Sequence, residues 1–412
     1  MTMQFATTDP RSVRVADVYK AGERAAQLRR TELGTSFEYV PQYLAGGGIQ
    51  VATTLPTAVG PLTFPAGAVP PFFAGMLPEG RRLAALRRLV KTSADDELSL
   101  LLAVGRDVVG DVQVVPEGEV PSEADALITV KASFREVRFS DVLGDAGLVD
   151  RSGIPGVQDK GSARMISVPV ARATDRYILK VDPPEFPHVV ENEFYFLNLA
   201  RAAGLPTTAA ELVTDSDGRK GLLVRRFDRF ADSGGSLHAL ACEDACQLLN
   251  LWPADKYNVT SEQVVRAVTA VCRAAPVAAR DVFRQLCFAW LTGNGDVHAK
   301  NVSVLATLEG EWRVSPAYDL PSTLPYNDLT LAIPLLGKRD GFSRRQLLEF
   351  GTLIGITPRA AQRTLDDLLS ATDEMVDELR AGAVPFSQHE VSEWTRRLVA
   401  RRRSLSQTKL DP

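Results

Sequence analysis

The chain has 412 residues, of which 45% are apolar and 24% charged, with a formal charge of −4, a balance that suits two or three globular domains. No stretch reaches the length of a membrane span, and residues 1–10 lack a basic segment followed by an apolar run, so the sequence predicts a cytoplasmic protein that does not engage a membrane. Four cysteines in so long a chain exclude a disulfide-stapled scaffold.

Residues 11–115 alternate short strands, Val13 to Tyr19 and Thr35 to Val40, with turns, and then become helical through Leu83 to Val90 and Leu98 to Val104. Pro116-Glu117-Gly118-Glu119-Val120-Pro121-Ser122-Glu123 has linker composition. This organisation predicts domains at 1–120, 121–235 and 236–412. In the second, Ser152-Gly153-Ile154-Pro155-Gly156-Val157-Gln158-Asp159-Lys160 is a turn rich in small residues whose backbone N–H groups can face an anion. Tyr177-Ile178-Leu179-Lys180 is an apolar strand ending in a lysine, and Glu193 sits on the next helix, Val189 to Ala203. A strand lysine and a glutamate on the following helix form the ion pair that steadies a phosphate-binding lysine in kinases. Leu222 to Arg229 reads as a strand entering a hinge at Arg225-Arg226-Phe227, where backbone groups can pair with adenine.

From residue 236 the pattern is mainly helical. His238, Cys242 and Cys246 recur at i, i+4 and i+8 and predict one apolar helix face. No fourth ligand stands nearby, so neither a structural metal nor a disulfide is expected. Val282 to Leu291 predicts a helix leading into Gly295-Asp296-Val297-His298-Ala299-Lys300-Asn301, with strands over 301–305 and 312–314 and then Tyr318-Asp319-Leu320. The first Asp can accept the proton of an attacking hydroxyl, while the Asn oxygen and the second Asp suit Mg²⁺, a hard cation whose remaining ligands come from ATP phosphates and water. Helices close the chain over Arg344 to Ile354, Pro358 to Ala381 and Ser387 to Leu405. The late run Arg396, Arg397, Arg401, Arg402 and Arg403 predicts a solvated helix end that complements the dipole.

These segments together resemble the HipA-type serine/threonine kinases, toxins of bacterial toxin–antitoxin pairs. Further support comes from Phe72 to Gly80, Ser93 to Asp96, Gly105 to Gln113, Glu191-Asn192-Glu193, Glu243 to Gln247 and Lys256-Tyr257. The resemblance implies a two-lobed α+β protein-kinase-like fold with a small N-terminal accessory domain. By the same resemblance, Asp296 is the catalytic carboxylate, with His298 and Lys300 approaching the terminal phosphate. Asn301 and Asp319 are the metal ligands, and Lys180 with Glu193 holds the ATP phosphates. Gly156, Val157, Gln158 and Lys160 form the phosphate loop, Arg225, Arg226 and Phe227 the hinge, and Ser152 the autophosphorylated switch. It further implies a substrate in the translation machinery, such as glutamyl-tRNA synthetase, and growth arrest. A small helix-turn-helix antitoxin would then make most of the DNA contacts. An aminoglycoside-phosphotransferase-like enzyme shares a Gly-Asp-x-His-x-x-Asn loop, and a pseudokinase that binds an antitoxin is the non-enzymatic alternative.

Overall fold

The computed structural model describes residues 8–32, 34–58, 60–65, 67–121, 128–129, 133–141, 166–172, 175–232 and 234–406. The fold is α+β. Near the N-terminus, β1 (Val15–Lys20), β2 (Glu23–Arg30), β3 (Gly34–Tyr39), β4 (Leu62–Pro65) and β5 (Val112–Pro116) form an antiparallel sheet in the order β4-β3-β2-β1-β5. Along β3, Phe37 and Tyr39 point inward while Glu38 points to solvent, the alternation a half-buried strand requires. The connections carry four helices: α1 (Pro41–Ala45), α2 (Pro71–Ala74), α3 (Gly80–Val90) and α4 (Glu97–Val104). Phe72 and Phe73 of α2 are buried, and Phe73 joins Val18, Leu28, Phe37, Leu98 and Leu101 in the core beneath the sheet.

A second sheet, in the order β6-β7-β8-β10-β9, comprises β6 (Ile128–Thr129), β7 (Ile166–Arg172), β8 (Asp175–Val181), β9 (Ala210–Thr214) and β10 (Lys220–Arg225). Its pairings are antiparallel except β6 with β7. Ala85 of α3 packs with Phe139, Val168, Leu179 and Leu223, so the N-terminal region shares apolar surface with this sheet. Helix α5 (Val189–Ala202) follows β8, and the Asp182 carboxylate accepts from His188 N (2.8 Å) and Val190 N (2.9 Å), orphan donors at the helix start.

Strands β11 (Arg229–Ala231) and β12 (Leu237–Ala239) form a hairpin, and β13 (Cys242–Asp244), β14 (Ser303–Ala306) and β15 (Trp312–Val314) a three-stranded sheet. The expected helix through His238, Cys242 and Cys246 is therefore corrected. Cys242–Asp244 pairs with β14, and only Cys246 lies in a helix, α6 (Ala245–Leu248), which Asp244 starts with a capping box. Strand pairing at long range overrides a local period of four. The rest is helical: α7 (Ser261–Val271), α8 (Ala275–Thr292), α9 (Arg344–Leu353), α10 (Pro358–Ala371), α11 (Met375–Arg380) and α12 (Gln388–Ser406). The single helix expected over Pro358 to Ala381 is broken between α10 and α11. The terminal arginines are only partly solvated: Arg401 is buried, donating to Trp290 O (2.8 Å) and Leu329 O (2.6 Å), and Arg402 reaches Asp373 (2.5 Å).

Candidate active site

Helix α8 delivers the loop that carries Asp296. Pro276 near its start suits the first turn, and its last two turns are buried, each large apolar side chain contributing about 1.5–3 kcal/mol. It ends at Gly293 in the left-handed region (φ 77°), where a Cβ would lie 2.4 Å from the Leu324 side chain. Only glycine meets both demands. Asn294 then bridges two loops, its Oδ1 accepting from Asp296 N (2.9 Å) and its Nδ2 donating to Asp319 O (3.1 Å). Thr323 Oγ1 accepts from Gly295 N (2.8 Å). Asp296 is 1% exposed, and the Tyr257 hydroxyl donates to its Oδ1 (3.2 Å). Burial and the nearby Asp296 carboxylate push the Tyr257 phenol up, which keeps it a donor.

On the opposite side, Lys180 Nζ at the end of β8 donates to Glu193 Oε1 (2.8 Å) and Oε2 (2.9 Å) on α5 and also contacts Asp319 Oδ1. Burial alone would lower the Lys180 ammonium, but Asp319 and Glu193 outweigh it and hold it protonated. Burial lifts the Glu193 carboxyl above the usual range, against the pull of Lys180. Asp319 sits at φ 52°, a left-handed turn that Asp tolerates better than most residues. Asn192, one residue before Glu193, fastens α5 to the segment after Asp319: its Nδ2 donates to Ser322 O and its Oδ1 accepts from Ser322 N, both at 2.9 Å.

Asn301 closes the arrangement. Its Nδ2 faces Asp319 Oδ2 at 3.4 Å, and its buried Oδ1 has no donor. A buried amide oxygen beside a carboxylate, without a hydrogen-bond partner, fits a hard cation, and Asn301 with Asp319 would hold Mg²⁺. Among the described residues no three His, Cys, Asp or Glu side chains gather as a metal site of their own, so such an ion would draw further ligands from phosphate oxygens and water.

Two models of known families match the chain, the HipA N-terminal domain over residues 16–115 and the HipA-like C-terminal domain over residues 152–376. The chain belongs to the HipA-like family. A Sinorhizobium fredii relative, Y4mE, classed as a kinase by name alone, is 30% identical over 89% of this chain and 91% of its own length. The serine/threonine-protein kinase toxin HipA of Shewanella oneidensis is 27% identical over 78% of this chain and 79% of that protein. The solved complex of the Shewanella oneidensis MR-1 toxin–antitoxin proteins HipA and HipB with operator DNA contains a chain with the same fold. It is 21% identical, has a TM-score of 0.76, and the match covers 95% of this chain and 97% of that one.

In this HipA-like chain several expected roles are redistributed. Lys300, expected at the terminal phosphate, is held by Gly75 O (2.8 Å) and Asp244 Oδ2 (3.0 Å), with Glu79 Oε1 at 3.7 Å. Arg225 pairs with Asp175 (2.7 Å). Arg226 is buried against Asp107 (2.6 Å), Asp228 (2.9 Å) and Val108 O (2.8 Å), which turns its side chain toward the N-terminal region. Carboxylates thus engage both arginine side chains, which leaves the backbone of 225–227 for the adenine pairing expected of the hinge. Phe227 lies beside the turn that carries Asp319, its ring centroid 5.7 Å from that of Tyr318. His298 is 3% exposed, its ring 5.0 Å from Tyr257 and both of its nitrogens without a partner. Burial holds the imidazole well below its ordinary pKa, with Lys256 and Lys300 adding to the effect, so it is neutral. Ser152, Gly156, Val157, Gln158 and Lys160 lie outside the described residues.

Sequence reasoning gave no role to Asn192, Asn294, Glu79 or Asp244. Asn294 was legible only as part of an Asn-Gly-Asp turn. Among the described residues no helix is long and apolar enough to cross a membrane.

Proposed function

We propose that the protein is a Mg²⁺- and ATP-dependent serine/threonine protein kinase of the toxin type. The observation that carries this reading is the convergence of the Lys180–Glu193 pair, Asp319, the unpaired Asn301 oxygen and Asp296 from four separate stretches of chain. Asp296 accepts the proton of the attacking hydroxyl as that oxygen bonds to the γ-phosphorus and the bond to the ADP oxygen breaks. Lys180, steadied by Glu193, orients the phosphates, and Asn301 and Asp319 hold Mg²⁺, whose charge offsets that developing on the phosphoryl oxygens. Neutral His298 packs the loop and leaves proton transfer to Asp296. The backbone of 225–227, with Phe227, borders the adenine, and Gly156, Val157, Gln158 and Lys160 cover the phosphates.

On the same reading, which here follows the family resemblance alone, the substrate is a protein of the translation machinery such as glutamyl-tRNA synthetase. Ser152 is a self-phosphorylated switch, and phosphate there adds roughly −1.5 to −2 charges. A small helix-turn-helix antitoxin neutralises the kinase and supplies most of the DNA contacts. The division at 1–120, 121–235 and 236–412 gives the accessory, nucleotide-binding and helical parts. The N-terminal match at 16–115 favours this reading over an antibiotic kinase.

Asp296→Asn and Asp319→Asn test the proposal. Each should abolish transfer of labelled phosphate from ATP while the variant melts as the parent does. Full activity in either purified variant would refute it.

A further inference from the structure

The N-terminal region grips the loop that carries Asp296. Lys300, one residue before Asn301, is half-buried and finds an acceptor at Gly75 O (2.8 Å) and a carboxylate neighbour at Glu79 Oε1 (3.7 Å), both at the α2–α3 turn. Glu79 Oε2 also pairs with Lys256 Nζ. Lys256 O in turn accepts from Ala299 N inside the loop (3.2 Å), and the adjacent Tyr257 donates to Asp296 (3.2 Å). Asp244 completes the cage around Lys300 at 3.0 Å, while its capping partner Gln247 donates to Phe72 O (2.8 Å). Thus one turn, through Phe72 O, Gly75 O and Glu79, reaches the loop by three routes. Buried ammonium groups are held in place by such acceptors, because each is costly to leave unpaired.

We propose that Glu79 is a positioning residue for the Asp296–Asn301 loop, acting through Lys256 and Lys300, so that the N-terminal region is part of the phosphotransfer machinery and not only a docking module. A partner that bound this region and displaced the α2–α3 turn would loosen the loop without entering the nucleotide site. The consequence for catalysis rests on the kinase reading above. The mechanical coupling does not.

Hydrogen–deuterium exchange on the full chain tests the coupling without a substrate. In Glu79→Gln, amides of residues 296–302 should exchange at least about tenfold faster, with helix α8 unchanged. Lys256→Gln should accelerate exchange in the same residues, and the double variant should be no worse than Glu79→Gln alone, because the Lys256 contact is one of the two that Glu79→Gln removes. Lys256→Gln also decides the matter should Glu79→Gln fail to fold. Exchange in the loop within twofold of the parent, or acceleration spread equally over α8, would overturn the proposal, as would additive effects. In phosphotransfer from labelled ATP, kcat should fall at least about tenfold with KM for ATP unchanged. An unchanged kcat overturns the catalytic part. Activity retained by Asp296→Asn would instead refute the kinase reading and leave the exchange result standing.

Discussion

Two lysines, Lys180 buried and Lys300 half-buried, sit at opposite edges of the site, each beside two carboxylates. Lys180 meets Glu193 and Asp319, and Lys300 meets Asp244 and Glu79. Their chemistry is alike and their consequences differ. Around Lys180, Asp319 also faces the Asn301 amide nitrogen, and the oxygen of that amide is unpaired, so the cluster has a partner it can yield to an incoming cation. Around Lys300 the acceptors include the Gly75 carbonyl and come from distant stretches of chain, and they tie the loop to the N-terminal region. One cluster can exchange a partner with an incoming ligand, whereas the other holds a loop in place.

Replacing each lysine by methionine should separate the two. Lys180→Met should cost about 10²–10³-fold in phosphotransfer, the scale of one lost electrostatic contact to the transition state. Its effect on melting should be small, since a Glu193 carboxyl already raised by burial can take up a proton. Lys300→Met leaves the Asp244 carboxylate and the Gly75 carbonyl without their donor and should cost about 1–3 kcal/mol in chemical denaturation, the scale of an acceptor left unpaired. Equal stability losses in the two variants would erase the distinction.

Asn294→Ala sharpens the comparison from between the two clusters. It removes both the bond to Asp296 N and the bond to Asp319 O, which should lower stability by about 1–3 kcal/mol. It should reduce kcat more than nucleotide affinity, because Lys180 and Glu193 are untouched.

The smallest effect concerns pH. Folding holds the His298 imidazole below its ordinary value, so below about pH 6.5 the unfolded chain binds the extra proton first. This contribution to stability is complete above that pH and is lost as pH falls, at no more than about 1.4 kcal/mol per pH unit. Denaturation midpoints of parent and His298→Gln between pH 5 and 7.5 should diverge in that direction. Parallel curves would mean that folding leaves the His298 pKa where it stands in the unfolded chain.

The linear sequence made legible those parts whose geometry is local. Helix α8 and its glycine stop, the strand ending at Lys180 and the helix bearing Glu193 follow from apolar period and capping chemistry. Strand β2, Glu23–Arg30, was not legible, because Glu-Arg-Ala-Ala-Gln-Leu-Arg-Arg is made of helix formers and becomes a strand only between β1 and β3. The same holds for Cys242–Asp244, whose partner strand lies some 60 residues away. In the site, Asp296, Asn301 and Asp319 were recognisable by spacing, but the partners of Lys300 and Arg226 were not. Glu79 lies 221 positions before Lys300, and Asp107 lies 119 before Arg226, so no local pattern could join them.

The central claim is that Asn301 and Asp319 form a metal-dependent phosphate site beside Lys180, and calorimetric titration with a non-hydrolysable ATP analogue measures it most directly. The parent should bind the analogue at least about tenfold more tightly with Mg²⁺ than without. Asn301→Leu and Asp319→Asn should each lose that difference while retaining metal-free binding. An undiminished Mg²⁺ effect in both variants would contradict the account.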